Sequence, residues 1–423
     1  ILIFSLFFFF FYAQFFKNSY ALAGGVNWAK DVAELSDGCV VMVGETHADQ
    51  AANRDIIVVK TTPAGNLLWV KKIGIITSTE FPMALAIGDQ DEIYVAGSNW
   101  STVSAGYLIK LNSSGVILWT RTITKTTYDN FSDLKFRNGI LYLIGTTDSD
   151  TWFVKVNAAG TTLLNKVFNI GLYEKANQMT MLSDGTIGIC GEVGSAFNKD
   201  SVFVLKIDSM GTQIWNRLFN VDIVNSTNGV YGFAIAELSS RQIVMTGLGW
   251  NSGTWPSTFV LKIDSLGSQS TLTFASGLSD SGSDILPCDN DAFYLLMGNC
   301  NFGCSGYVLK FDKFLNSSVI VNLGYPGGSS YNGFTGAARM SGKTNSHLLV
   351  AGYYAYGENT EMLLLKCDTN GLTNASPTFL LQSTPASGIP CDGDSVLLVA
   401  PPGFDKYDWC INQNSVFHNI LEV

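Results

Sequence analysis

Charge is scarce in this chain: Asp, Glu, Lys and Arg together supply only 14% of its 423 residues. Cations are the scarcer sign, 25 Lys and Arg against 35 Asp and Glu, for a net charge of −10. No basic stripe exists to neutralise phosphates, so nucleic acid and anionic lipid are not expected partners. Histidine is rarer still. His47, His347 and His418 are isolated from one another, which leaves a Ser-His-Asp set little to draw on. Eight cysteines are too few for a disulfide scaffold. No Asp-x-Asp-x-Asp-Gly calcium loop occurs. No cofactor, no metal site and no catalytic residue is therefore expected.

Long apolar runs are missing except at the start, where Ile1 to Ala13 is apolar but short of the roughly 20 residues a membrane-spanning helix needs. Ala21-Leu22-Ala23 offers the small-x-small pattern of signal-peptide cleavage. Residues 1–23 are read as a signal peptide, with cleavage near Ala13 or Gln14 as the alternative, and the mature chain is expected to carry no membrane span. Of the cysteines, Cys300 and Cys304 are spaced for a bridge on one loop, with Cys288 nearby. Cys39, Cys190 and Cys367 sit in apolar runs and are expected as small buried hydrophobes.

What the chain has in quantity is 42 Gly and many aromatic, Ser, Thr and Asn residues, a composition of short strands and tight turns. These are arranged in a repeat. An apolar run ends in Gly44, Gly97, Gly145, Gly191, Gly247, Gly298 and Gly352, at separations of 53, 48, 46, 56, 51 and 54 residues. After each comes a strand-like run ending in Lys60, Lys110, Lys155, Lys206, Lys262, Lys310 and Lys366. Two residues beyond the Lys stand Thr62, Asn112, Asn157, Asp208, Asp264, Asp312 and Asp368; five beyond stand Gly65, Gly115, Gly160, Gly211, Gly267, Leu315 and Gly371. A side chain that can bond its own backbone, followed by a Gly able to take positive φ, is turn chemistry. A Lys just before such a turn is expected to be solvated or turn-bonding. Nine residues beyond the Lys come Trp69, Trp119, Leu164 and Trp215, then Thr271, Val319 and Ala375, so the large apolar residue is lost late in the chain.

Each unit reads as four short strands that cannot bury both faces alone, so units must stack, and radial closure hides the end units. The expected fold is all-β: a seven-bladed β-propeller of four-stranded antiparallel blades over residues 24–384. For closure, Asn27-Trp28-Ala-Lys30 copies the Trp-x-Lys/Arg of the fourth strands, but Phe379 to Leu381 is the preferred last fourth strand.

These motifs resemble the secreted bacterial propeller-repeat proteins whose blades carry Asp-Gly, an apolar strand ending in Gly, Lys-x-Asp-x-x-Gly and a Trp. In the first unit they are Ser36-Asp37-Gly38, Val40 to Gly44, Lys60 to Gly65 and Trp69. The resemblance spans roughly residues 26–375. It implies export of the type IX secretion kind and a secreted or outer cell-surface location. Residues 385–423, with Cys391, Pro401-Pro402-Gly403 and Trp409, resemble the start of an immunoglobulin-like or PKD-like β-sandwich. Asp208-Ser209-Met210, Asp264-Ser265-Leu266 and Asp394-Ser395-Val396 resemble a short bacterial O-glycosylation signal but also serve as turns.

Because the Asp-Gly and Asp-x-x-Gly turns are short and uniform, they are expected on one face. The Gly-to-Lys connections vary from 10 to 16 residues, and variable loops on one rim are where function concentrates. They carry the candidate ligand-binding aromatics Trp100, Phe197, Trp250, Trp255, Phe302, Tyr353, Tyr354 and Tyr356, with Trp152 expected as a blade cap. Such rings beside Asn, Ser and Thr suit a polysaccharide or a surface protein. The alternative is a glycosidase or lyase using the propeller funnel, for which Glu45 and Glu192, each just after a Gly marker, and nearby His47 are the available groups.

Overall fold

The computed structural model describes residues 16–20, 22, 26–47, 54–74, 77–194, 199–222, 229–250, 257–274, 281–298, 306–322, 333–343, 347–356, 359–368, 380–383 and 396–399. The chain divides into two compact units, Ile1–Thr373 and Asn374–Val423.

The first unit is built of antiparallel meanders. The first contains Val26–Glu34, Val40–His47, Asp55–Thr61 and Leu67–Ile73. The second runs from Thr79 to Ile123, the third from Asp129 to Phe168, the fourth from Tyr173 to Phe219, the fifth from Tyr231 to Phe274 and the sixth from Ser281 to Asn322. The second to sixth are separate four-stranded sheets, each with its strands side by side in chain order. The last meander has three strands from its own stretch, Gly333–Lys343, His347–Tyr356 and Asn359–Cys367. Its fourth is Phe16–Tyr20, antiparallel to the third strand with Phe16 opposite Lys366 and Tyr20 opposite Met362. One parallel pair, Val26 with Thr360, joins the first and last meanders into an eight-stranded sheet.

The edge expected for Phe379 to Leu381 is thus taken by a strand from the other end of the chain, inside the stretch read as signal peptide. Leu380–Ser383 pairs instead with Val396–Val399 and belongs to the second unit, across the boundary expected at 384/385. The Trp-x-Lys of Trp28 and Lys30 is no fourth strand either: it lies in the first strand of the first meander. A local Trp-x-Lys pattern records alternation along a strand and carries no information about which edge the strand occupies.

Apolar residues from consecutive meanders interlock. Val41, Val58, Val95 and Ile109 join the first and second. Leu108, Leu143 and Val154 join the second and third. The series continues to Leu296, Val308, Val350 and Leu365 between the sixth and last, and returns with Leu349, Leu364, Met42 and Val59 between the last and the first. Central strands buried on both faces explain the unbroken runs of Val, Ile and Leu. Cys39, Cys190 and Cys367 are buried in these layers.

The repeat markers have distinct physical causes. The first strand of every meander carries a bulge, at Lys30, Met83, Ser132, Asn177, Phe233, Ser283 and Ala338. The backbone next to the bulge presses on the second strand, so a Cβ at Gly44, Gly97, Gly145, Gly191 or Gly247 would overlap the carbonyl oxygen of Trp28, Phe81, Asn130, Lys175 or Tyr231. The Gly marker is a close-approach requirement. In the Lys-x-Asp-x-x-Gly turns the side chain of Asp208 accepts from Met210 and Thr212 N–H at 2.8 and 2.7 Å, and Asn112 from Ser114 and Val116 at 3.0 and 2.9 Å.

Four of the marker lysines bond turns across meanders, while Lys206 bonds Asp184 of its own meander and Lys366 bonds Glu34 of the first. Lys60, Lys110, Lys155 and Lys262 donate to the carbonyls of Ser113, Ala158, Ser209 and Lys313, each in the turn of the next meander. Fourth-strand side chains meet the same turns: Trp69 abuts Gly115, Arg121 Nε donates to Gly160 O at 3.2 Å, Lys166 Nζ to Gly211 O at 3.0 Å, and Trp215 and Arg217 abut Gly267.

Candidate binding rim

Two families of connections emerge on the side opposite the uniform turns: those between second and third strands, and those from each fourth strand to the next meander. Both are described in full from the second meander to the start of the fourth, at residues 101–103, 124–128, 148–149 and 169–172.

Buried carboxylates hold 124–128 and 169–172 from below, and a third sits at the equivalent place in the second meander. Glu80, Asp129 and Glu174 occupy one position, three residues before the bulge, and all are buried. Asp129 accepts from the N–H of Lys125 and Thr126, from Thr126 Oγ1 at 2.8 Å and from Thr147 Oγ1 at 2.6 Å. Glu174 accepts from Ile170 N–H, from Gly171 N–H at 2.7 Å and from Thr151 Oγ1 at 2.9 Å. Burial pushes the Glu174 carboxyl above its ordinary range, with these donors opposing it. Glu80 accepts from Ser78 Oγ and, at 3.1 Å, from Asn99 Nδ2.

The loops are also stitched to one another. Ser104 N–H donates to Thr127 O at 3.0 Å, Asp148 N–H to Tyr128 O at 3.0 Å and Glu174 N–H to Ser149 O at 2.7 Å. Asp148 and Ser149 hold φ of 53° and 147° at the hairpin between them, a strained conformation kept by its neighbours' hydrogen bonds. On this fixed rim stand exposed apolar groups: Trp100 at 50% exposure, Val103, Tyr128 at 63%, Leu172 and Tyr173 at 40%.

Of the expected site residues, Trp100 is therefore on the rim. Trp250 is not: it is buried between the fourth and fifth meanders, with Nε1 donating to Gly229 O at 3.2 Å. Trp152 is buried and stacked on Phe131, as a cap should be. Tyr353, Tyr354 and Tyr356 lie in the strand His347–Tyr356. Phe197, Trp255, Phe302, Cys300 and Cys304 lie outside the described residues. Tyr128 and Tyr173 lie where a fourth strand leads into the next meander, outside the Gly-to-Lys connections that carry the other candidates. Their signal is an aromatic immediately before a stapling carboxylate, Tyr128-Asp129 and Tyr173-Glu174.

Glu45 and Glu192 are engaged in packing. Glu45, 1% exposed, meets Arg54 at 2.9 Å and Lys30 at 3.6 Å. Arg54 in turn lies over the rings of Trp28 and Phe81, and Trp28 packs 5.8 Å from Tyr353, tying the last, first and second meanders together. Glu192, on the fourth meander, accepts from Asn177 Nδ2. Among the described residues no group of three His, Cys, Asp or Glu is placed to hold a metal, and no helix is long and apolar enough to cross a membrane.

No protein-family model and no curated protein matches the chain. Solved structures do. An ulvan lyase, a polysaccharide lyase, matches with a TM-score of 0.52 and 10% identity over 83% of this chain and 97% of its own. The β-propeller domain of the Trilobed protease from Pyrococcus furiosus matches with a TM-score of 0.48 and 9% identity, covering 81% and 98%. The WD40 β-propeller domain of Doa1 gives 0.49 and 12%, covering 82% and 97%. The meanders packed in series, with the last returning to the first, make a fold of the β-propeller kind. Identities this low speak for fold alone, and the meanders are hereafter called blades.

Proposed function

We propose that this chain is a secreted or outer-surface binding propeller of seven blades, which takes a polysaccharide on the rim of its second to fourth blades. A surface protein is the second ligand class that such a rim suits. The observation that carries the reading is the set of exposed rings Trp100, Tyr128 and Tyr173 on and beside stitched loops, two of which are held by the buried carboxylates Asp129 and Glu174. Aromatic faces stack on the C–H faces of sugars, and a rim that is already ordered spends little entropy on binding. The seven Gly and seven Lys markers, and the apolar layer returning from the last blade to the first, support the blade count. The C-terminal unit is proposed to be immunoglobulin-like or PKD-like, on the pattern from Cys391 to Trp409. The test is a glycan array probed with the wild type and with the Trp100→Ala/Tyr128→Ala/Tyr173→Ala variant. Binding to a polysaccharide class that falls at least tenfold in the variant, at unchanged melting temperature, is expected. Absence of any glycan ligand, or binding indifferent to the three rings, rejects the reading.

A further inference from the structure

The strand Phe16–Tyr20 makes the contacts of a fourth strand in full. Five residues pair with Met362–Lys366. Phe16 and Tyr20 are buried in the apolar layer that also holds Ile57, Val59, Met362 and Leu364, and Leu22 packs against it. Phe16 and Asn18 abut Gly65 of the first blade as Trp215 and Arg217 abut Gly267 of the fifth. Asn18 Nδ2 and the Tyr20 hydroxyl donate to Gly65 O at 3.0 and 2.6 Å. Burial pushes that hydroxyl up to about 12. Further on, Asn27 Nδ2 donates to Leu22 O at 3.1 Å, and Asn27 N–H to Thr360 Oγ1 at 2.7 Å.

Cleavage after Ala23 would remove all of this except the Asn27–Thr360 bond. It would leave Met362–Lys366 as an open edge over an uncovered apolar layer, which is costly and prone to foreign pairing. Leu380–Ser383, the other strand suited to that edge, is paired with Val396–Val399.

We infer that maturation of the N-terminus retains Phe16–Tyr20, and that the leader is removed on the N-terminal side of Phe16, at Ala13–Gln14, rather than after Ala23. The step is hydrolysis of one peptide bond by a leader protease: water supplies hydroxide to the Ala13 carbonyl and a proton to the Gln14 nitrogen. The small-x-small pattern at Ala21 and Ala23 then belongs to the link between the closing strand and the first blade.

N-terminal sequencing and intact mass of the exported full chain test this. A start at Gln14 or Phe15 is expected. A start at Gly24, or a chain left uncut, overturns it. In parallel, purified chains beginning at Gln14 and at Gly24 are compared by thermal melting, with and without a synthetic peptide spanning Phe15 to Leu22. The Gly24 chain is expected to melt roughly 5 °C or more lower and to recover with the peptide; equal melting overturns the role of the strand. If the Gly24 chain does not fold, N18A/Y20F in the Gln14 chain reads the same contact. A lowered melting temperature supports the inference and an unchanged one overturns it. The inference rests on the reading of the chain as exported; glycan binding enters neither readout, so failure here is distinct from failure of the ligand reading.

Discussion

The ammonium of Lys155 donates to the carbonyl oxygen of Ser209, 2.8 Å away and 54 residues further along the chain. Lys262 makes the same bond to Lys313 at 2.9 Å while almost wholly buried, and burial lowers its pKa. A carbonyl of the next blade receives the charged donor as it leaves water, with the charges of Asp291 and Asp312 also favouring the ammonium of Lys262, so each such Lys is a tie between blades. Replacing Lys262 by Met keeps the stem and removes the tie, exposing the Lys313 carbonyl to no donor. A loss of about 1–3 kcal/mol is expected, read by urea unfolding. Lys155→Met, at a more open site, should cost less.

The fifth and sixth blades change the fourth-strand contact on both sides at once. Thr271 stands where Trp215 stands in the fourth blade, each opposite the marker Lys, and Leu315 replaces the turn Gly at φ 68°. Leu315 packs against the layer between these blades, filling space that a Trp fills elsewhere. Thr271→Trp alone should destabilise by overpacking. Leu315→Gly alone relieves the backbone but loses buried apolar area, for a net loss of about 1 kcal/mol. Together they should restore the Trp–Gly contact, giving a favourable coupling of about 1 kcal/mol or more in a double-mutant cycle.

Acid should loosen the seam between the last and first blades. Glu34 is raised by burial, but its bonds to His347 at 3.1 Å and Lys366 at 3.2 Å outweigh this and bring its pKa down to about 2. A carboxyl depressed in the folded state stabilises it above its ordinary pKa of 4.5 and loses that contribution as pH falls from there toward 2. The melting temperature of the wild type should fall across that window more steeply than that of Glu34→Gln. The variant should also be weaker at pH 7, on the order of 2 kcal/mol, because Lys366 is left buried beside a neutral group.

Rim order and rim rings are separable. Asp129→Ala removes no ring but strands the donors of Lys125, Thr126 and Thr147, so hydrogen exchange at residues 125–128 should accelerate. Affinity for the glycan identified with the wild type should then fall through dissociation rate and ordering entropy. Protected amides in this variant would show that the staple does not hold the loop.

The sequence by itself determined the repeat. Turn chemistry is local: Asp264 bonds the N–H groups of Leu266 and Ser268, and Gly267 takes φ 90°, so both are legible in a single stretch of chain. The same holds for the strand runs and for the existence of a variable rim. The tertiary structure decided what pairing and packing across distance decide. Phe16–Tyr20 could not be recognised as the closing strand, because nothing within five residues says that their partners are Met362–Lys366. The Gly markers looked like punctuation until the bulge carbonyls were seen against them, and Trp250 looked like a loop aromatic until its burial was seen. Tyr128 and Tyr173 became part of a site only when Asp129 and Glu174 were found holding their loops on one rim. Hydrophobic alternation and turn propensity act over a few residues, whereas edges, burial and shared faces exist only once distant strands have met.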